Sequence, residues 1–349
     1  MRKLYLLLIL LMSSCIDHKV IKEECVFVED NVIYLDRLPE ELPALRYLSY
    51  HDGQLFLPFF VDLEMDIYSI ERDEKKTKNL PDKYGFPDYF EIINSGKFMS
   101  AYQATNYVIL LDPETLAEKK KLFQLNTGVH PHRNEGPYLF EGKNGYTYLA
   151  YHIGEQNDPV FGMFEQNRLD STILFTKLEL ENTLKSTNNQ GTPVAVGMNN
   201  DEEYYRIGYP QDPYIYELNL NSKELRKREI PSPFSDNIDI SKLSVSALED
   251  AEFCLYMQSD RQGNILKSIR ELPKDDHRIE FDFYNCPWRL QVIQEDYKKE
   301  QIVHFQSKKY IPYVAISLPD KKYGLVSYPD DNGQSYIAVG HIEKKRKID

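Results

Sequence analysis

Cysteine is scarce in this 349-residue chain: four residues, too few for a disulfide-dense scaffold. Tryptophan occurs once. No Gly-x-x-x-x-Gly-Lys-Ser/Thr loop, Gly-x-Gly-x-x-Gly, His-Glu-x-x-His, Gly-x-Ser-x-Gly or EF-hand loop is present, which removes those forms of nucleotide, zincin, hydrolase and calcium sites. After residue 12 no hydrophobic stretch approaches the ~20 apolar residues needed to span a bilayer. Sustained helical periodicity is missing as well. Positive charge is in deficit, with 42 Lys and Arg against 55 Asp and Glu and a formal net charge of -13. Phosphate would repel such a chain, so nucleic acid is not an expected partner.

Aromatic residues are plentiful: 26 Tyr and 17 Phe. They provide ample surface to bury, which excludes long disorder. Together with Val, Ile and Thr they favour strands over helices.

The N-terminus reads as an address. Arg2 and Lys3 precede the apolar run Leu4–Met12, followed by Ser13, Ser14 and Cys15. A short basic segment, a short apolar segment and small residues make a secretory signal. The order Met12-Ser13-Ser14-Cys15 resembles a bacterial lipobox, in which the cysteine thiol is lipidated and becomes the mature N-terminus. Met12 stands where Leu is usual and keeps the apolar character. The expected lipidation site is therefore Cys15, with acyl chains anchoring the protein in a bilayer. Ile16, rather than Asp, follows the cysteine, favouring the outer membrane, periplasmic or cell-surface facing. Cys254 lies in the apolar run Phe253–Met257 and reads as a core thiol; a Cys254–Cys286 bridge stays open.

The body reads as repeated hairpins. Asp52-Gly53, Asn144-Gly145, Ser95-Gly96 and Asn332-Gly333 each separate two strand-like runs and supply the positive φ of tight turns. The first of these hairpins is expected to pair Leu45–Tyr50 with Gln54–Val61. A second hairpin type joins an apolar strand to a charged one. Tyr107–Leu111 passes through Asp112-Pro113-Glu114-Thr115 to Leu116–Leu125, and Tyr214–Leu220 passes through Asn221-Ser222-Lys223 to Glu224–Ile230. Strand starts at Ile67 and Val108, and at Ile173 and Ile215, lie about forty residues apart, the period of propeller blades. The basic runs Glu118–Lys121 and Lys223–Arg228 suit exposed outer strands. The expected fold is all-β, a β-propeller of six or seven four-stranded blades. Its expected organisation is a signal peptide at 1–14, a lipidated tether at 15–25, the propeller at 26–342 and a polar tail at 343–349.

These features resemble the uncharacterised Gram-negative lipoproteins built as six-bladed, TolB-like β-propellers. The resemblance is carried by Met12-Ser13-Ser14-Cys15, by Lys119–Leu125 running through a His-rich loop into Asn134-Glu135-Gly136-Pro137, and by the Tyr107–Thr115 hairpin. It would cover most of residues 26–342. It implies an extracytoplasmic scaffold and transfers no catalytic residues.

The densest polar constellation is His130-Pro131-His132-Arg133-Asn134-Glu135. In an extended segment His130 and His132 face one side, where they and Glu135 are weak candidates for metal or ligand contact, with Arg133 suited to an anion. An exposed inter-blade loop is the ordinary alternative and takes precedence, so no metal or other cofactor is expected. A second polar stretch, His152 with Glu155, Gln156, Asn157 and Asp158, suits either sugar hydroxyls or a hydrophilic connection. Tyr204 and Arg206 share a strand face and suit either ligand contact or blade packing. Trp288 follows Cys286-Pro287 and reads as packing. The expected function is a lipid-anchored monomeric scaffold binding an envelope protein, peptide or glycan. The alternative is a propeller enzyme, a glycan lyase or metal-assisted lactonase with an axial pocket.

Overall fold

The structure is a computed structural model. It describes residues 20–345 apart from positions 41, 73, 88 and 261 and segments 93–95, 103–106, 125–137, 142–145, 153–159, 168–172, 180–193, 199–203, 235–251 and 272–285. The described residues form strands with two short 3-10 turns. Four sheets are four-stranded meanders. The first is β2 (Ser49–His51), β3 (Gln54–Phe59), β4 (Glu64–Ser69) and β5 (Lys75–Asn79). The second is β6 (Tyr89–Ile92), β7 (Phe98–Tyr102), β8 (Tyr107–Leu111) and β9 (Glu118–Gln124). The third is β10 (Tyr138–Glu141), β11 (Tyr146–His152), β12 (Val160–Asn167) and β13 (Ile173–Glu179). The fourth is β14 (Val194–Met198), β15 (Tyr204–Gly208), β16 (Tyr214–Asn219) and β17 (Leu225–Glu229).

The remaining strands join in one eight-stranded sheet. One half is the meander β18 (Phe253–Ser259), β19 (Ile265–Arg270), β20 (Trp288–Ile293) and β21 (Lys299–Phe305). The other is β22 (Tyr310–Ser317), β23 (Lys322–Ser327), β24 (Ser335–Lys344) and the N-terminal strand β1 (Ile21–Leu35). β1 links the halves: Ile21–Cys25 pair in parallel with β21, and residues 25–35 pair antiparallel with β24. Residues 21–25, assigned from the sequence to the tether, are thus the start of a strand, and β24 runs past residue 342. Both shifts have one cause. The backbone groups of each segment find a neighbouring strand: residues 21–25 pair with β21, and Glu343 and Lys344 lie opposite Val26 and Cys25.

First strands touch in order from β10 round to β6: β10 meets β14, β14 meets β18, β18 meets β22, β22 meets β2 and β2 meets β6. Four-stranded meanders arranged so that the last meets the first form a β-propeller, as the hairpin repeat predicts. Closure mixes the chain's two ends in one sheet.

The turns follow their side chains. Asp52 (φ 45°) and Gly53 (φ 75°) make the β2–β3 turn. The first half of the expected strand Leu45–Tyr50 is instead a 3-10 turn, Leu42–Tyr47, and only Ser49–His51 pair with β3. Asp112 Oδ1 accepts the N–H groups of Glu114 and Thr115, and Asn219 Oδ1 those of Asn221 and Ser222.

Packing explains the composition. All six residues of β19 and of β20 are buried, because sheets cover both faces. Leu55, Leu57 and Tyr68 pack on Ile311, Val326 and Ile337, while Phe56 and Ile67 pack on Phe90, Phe98 and Ile109. Each such side chain removed from water contributes about 1.5–3 kcal/mol. Trp288 is fully buried, stacks on Phe305 at 4.4 Å and donates its Nε1–H to the Tyr310 carbonyl at 3.0 Å. The outer strands β5 and β17 are charged and largely exposed. No disulfide joins Cys25, Cys254 and Cys286; burial raises the Cys254 thiol to about 11.

Candidate functional site

The first strands leave a cavity of about 210 Å³ between them. Its wall comes from the 3-10 turn and β2 (Arg46 to Tyr50), from β6 (Tyr89 to Ile92), from β18 and its exit (Tyr256 to Asp260), and from the end of β22 (Ile316, Ser317). Tyr50, Ile92, Asp260 and Ser317 lie beside the connection from the first to the second strand of their sheets, whereas Arg46 and Tyr47 precede β2. The cavity therefore reaches that end of the axis. A 3-10 turn, rather than continued strand, presents Arg46 and Tyr47 here.

Tyrosine recurs in the lining, at Tyr47, Tyr50, Tyr89 and Tyr256. The Tyr47 ring meets Tyr89 edge-on at 5.2 Å and Phe60 at 5.3 Å. The Arg46 guanidinium lies 4.8 Å over the Tyr47 ring and donates to its hydroxyl at 2.6 Å. The Tyr89 hydroxyl donates to Glu91. The Tyr256 hydroxyl donates to Gln258 Oε1 at 3.2 Å, and Gln258 in turn donates to the Ala315 carbonyl. Burial raises the Tyr256 phenol well above its usual range; Arg46 opposes this, while Tyr47 and Glu91 add to it, so these groups face one another across the axis. Burial also raises the Asp260 carboxyl against the N–H groups of Gln262 and Asn264 that it accepts. Ser317 is 9% exposed, and its Oγ has no hydrogen-bond partner among the described residues.

A second, open groove of about 490 Å³ adjoins the cavity on the first sheet, and Tyr50 lines both. A third, of about 650 Å³, lies between the fourth sheet and β18–β21. There Glu217 is buried, accepts from Tyr297 Oη at 2.7 Å and Arg228 Nε at 3.1 Å, and lies 3.5 Å from Arg206 Nε. Arg206 is 1% exposed and donates to the Gly263 carbonyl, so its guanidinium fastens two sheets together. Tyr204 lines the same groove. Of the two readings of Tyr204 and Arg206, the structure gives Arg206 to sheet packing.

Cys15, His130, His132, Arg133 and Glu135 lie outside the described residues, as do Glu155 to Asp158; His152 ends β11. Among the described residues no helix is long and apolar enough to cross a membrane. Nor is any group of three or more His, Cys, Asp or Glu placed to hold a metal ion. The axial residues Arg46, Tyr47, Glu91, Tyr256 and Ser317 were not singled out by sequence reading. The available signal was tyrosine recurring on first strands, at Tyr50, Tyr89 and Tyr256.

No family model matches the sequence, and no curated protein matches it. Solved structures do resemble it. A member of the DUF4221 family from Bacteroides vulgatus superposes with a TM-score of 0.62 at 12% identity, covering 93% of this chain and 99% of that one. An exported-protein candidate of Bacteroides fragilis superposes with a TM-score of 0.55 at 9% identity, covering 94% and 100%. At such identities the likeness is one of fold: the whole architecture is shared end to end.

Proposed function

We propose that this chain is a lipid-anchored, six-bladed propeller that acts as a monomeric scaffold, binding an envelope protein, peptide or glycan in its axial cavity. The count of six follows from reading the eight-stranded sheet as two blades, β18–β21 and β22–β24 with β1. The TolB-like resemblance in the sequence agrees with that count. The observation that carries the binding role is the tyrosine-lined axial cavity. It is a concave site with a few polar groups, built by four blades around the axis.

Anchoring rests on Met12-Ser13-Ser14-Cys15 and on Ile16, which favour an outer-membrane lipoprotein. The Bacteroides fragilis neighbour, an exported-protein candidate, is in keeping with an extracytoplasmic place. β1 begins at the same end of the ring as the cavity, because Cys25 lies opposite Lys344 at the end of β24. Six residues from Cys15 to Ile21 reach at most about 20 Å, so the anchor holds the cavity end towards the bilayer.

Binding is tested by passing envelope extract over immobilised wild type and over a Glu91→Ala/Tyr256→Ala variant of equal melting temperature. A ligand retained by the wild type and lost by the variant is expected; equal retention rejects the axial site. Anchoring is tested by detergent partitioning of Cys15→Ala, which is expected to move to the aqueous phase. Unchanged partitioning rejects lipidation at Cys15.

A further inference from the structure

Resting on the axial-binding reading, we infer that the ligand is the end of a neutral oligosaccharide. One sugar ring occupies the axial cavity, and the following units lie in the groove beyond Tyr50.

Size sets the first limit. At about 210 Å³ the cavity is smaller than the ~300–1,000 Å³ of drug-sized sites, so it takes a single ring or side chain. The lining sets the second. Tyr47, Tyr50, Tyr89 and Tyr256 place aromatic carbon beside hydroxyls, and a sugar ring offers the complement, a C–H face bordered by hydroxyls. Ser317 supplies the specific point. A buried hydroxyl without a partner is costly, and a ligand hydroxyl relieves that cost by donating to or accepting from Oγ.

Charge sets the third limit. Arg46 is engaged with the Tyr47 ring and hydroxyl, Glu91 with the Tyr89 hydroxyl, and Asp260 with its own turn. Both signs are present and committed, so the cavity selects neither an anion nor a cation. The adjoining groove also carries both signs: Asp52, Glu71 and Glu74 lie with Arg72 and Lys76, beside Gln54 and Ser69. Peptide recognition usually uses apolar pockets or an open sheet edge. This groove offers carboxylates, amide, hydroxyl and cations, the groups that hydrogen-bond sugar hydroxyls.

The test uses the full-length protein on an array of neutral oligosaccharides and, in parallel, on a peptide array. Calorimetric titration with the best-bound glycan and its terminal monosaccharide follows. Two variants separate the subsites. Ser317→Ala breaks no hydrogen bond, so melting is expected to hold while affinity for monosaccharide and oligosaccharide falls alike, about tenfold. Arg72→Ala, on the exposed groove wall, is expected to weaken the oligosaccharide and leave the monosaccharide unchanged. Absence of glycan binding, or glycan binding indifferent to both variants, overturns the inference. Peptide binding that is lost in Ser317→Ala overturns it too, while preserving the axial site. If neither array binds and the Glu91→Ala/Tyr256→Ala variant retains envelope ligands like the wild type, the axial reading falls with it.

Discussion

At the scale of single residues, Trp288 shows how one side chain joins packing to polarity. Its ring is stacked and fully buried, and its one N–H is satisfied by a main-chain carbonyl, so burial leaves nothing unpaired. Trp288→Ala is expected to cost about 3–5 kcal/mol, read as a lowered urea midpoint by circular dichroism. A loss under ~1 kcal/mol would contradict the stacked arrangement. The sequence-based reading of Trp288 as packing holds, and the residue opens the fully buried strand β20. Arg206 was harder. Strand alternation correctly joined it to Tyr204, but only the fold reveals Glu217, Tyr297 and the Gly263 carbonyl around it. The axial cavity was illegible for the same reason. Arg46, Glu91, Tyr256 and Ser317 are far apart in the chain, and no local pattern announces that a ring brings them together.

At the scale of elements, hairpins were legible because turn chemistry is local: Asp-Gly and Asp-Pro fix φ where they stand. The pairing of β1 with β24 and β21 was not, because it depends on partners at the opposite end of the chain. That junction has two testable features. The first is Gly340, opposite Glu29 at the irregularity in β1. A Cβ at Gly340 would fall 2.1 Å from the Val28 carbonyl oxygen and 2.7 Å from the Phe27 ring. Gly340→Ala is therefore expected to cost about 1–3 kcal/mol, measured as a lowered melting temperature. The second is His304 of β21, with Nε2 3.2 Å from Glu24 of β1 and Nδ1 2.7 Å from Glu271. The hydrogen bond to Glu271 raises its pKa, against burial, with Glu24 adding and Arg289 opposing. A folded value above the unfolded ~6.5 means the stabilisation is complete below about pH 6.5 and is lost as pH rises through the raised value. His304 is half-exposed, so the contribution stays below ~1 kcal/mol. Denaturation midpoints taken across this window are expected to fall with rising pH more in the wild type than in His304→Gln. Parallel profiles would exclude the clamp.

At the scale of the molecule, stability depends on closing the ring, and β1 does this twice. It is the fourth strand beside β22–β24 and the parallel cover of β21. Without it, β24 and β21 present open backbone edges, the arrangement that invites pairing between chains. The other outer strands manage their edges with charge: β5 carries Lys75, Lys76 and Lys78, and β17 carries Arg226, Lys227 and Arg228. β24 and β21 contrast with them. Val303 and Val339 are buried and stand opposite Cys25 and Asn31 of β1, so removal of β1 leaves apolar residues on the open edges. Deletion of residues 21–35 is therefore expected to add concentration-dependent association, seen by light scattering after size exclusion against the full chain, and to lower the melting temperature. The same deletion with Val303→Lys and Val339→Lys is expected to remove the added association without restoring stability, since charge blocks edge pairing but replaces no contact. A deletion variant that associates no more than the full chain and melts with it would show that the ring closes without its N-terminal strand.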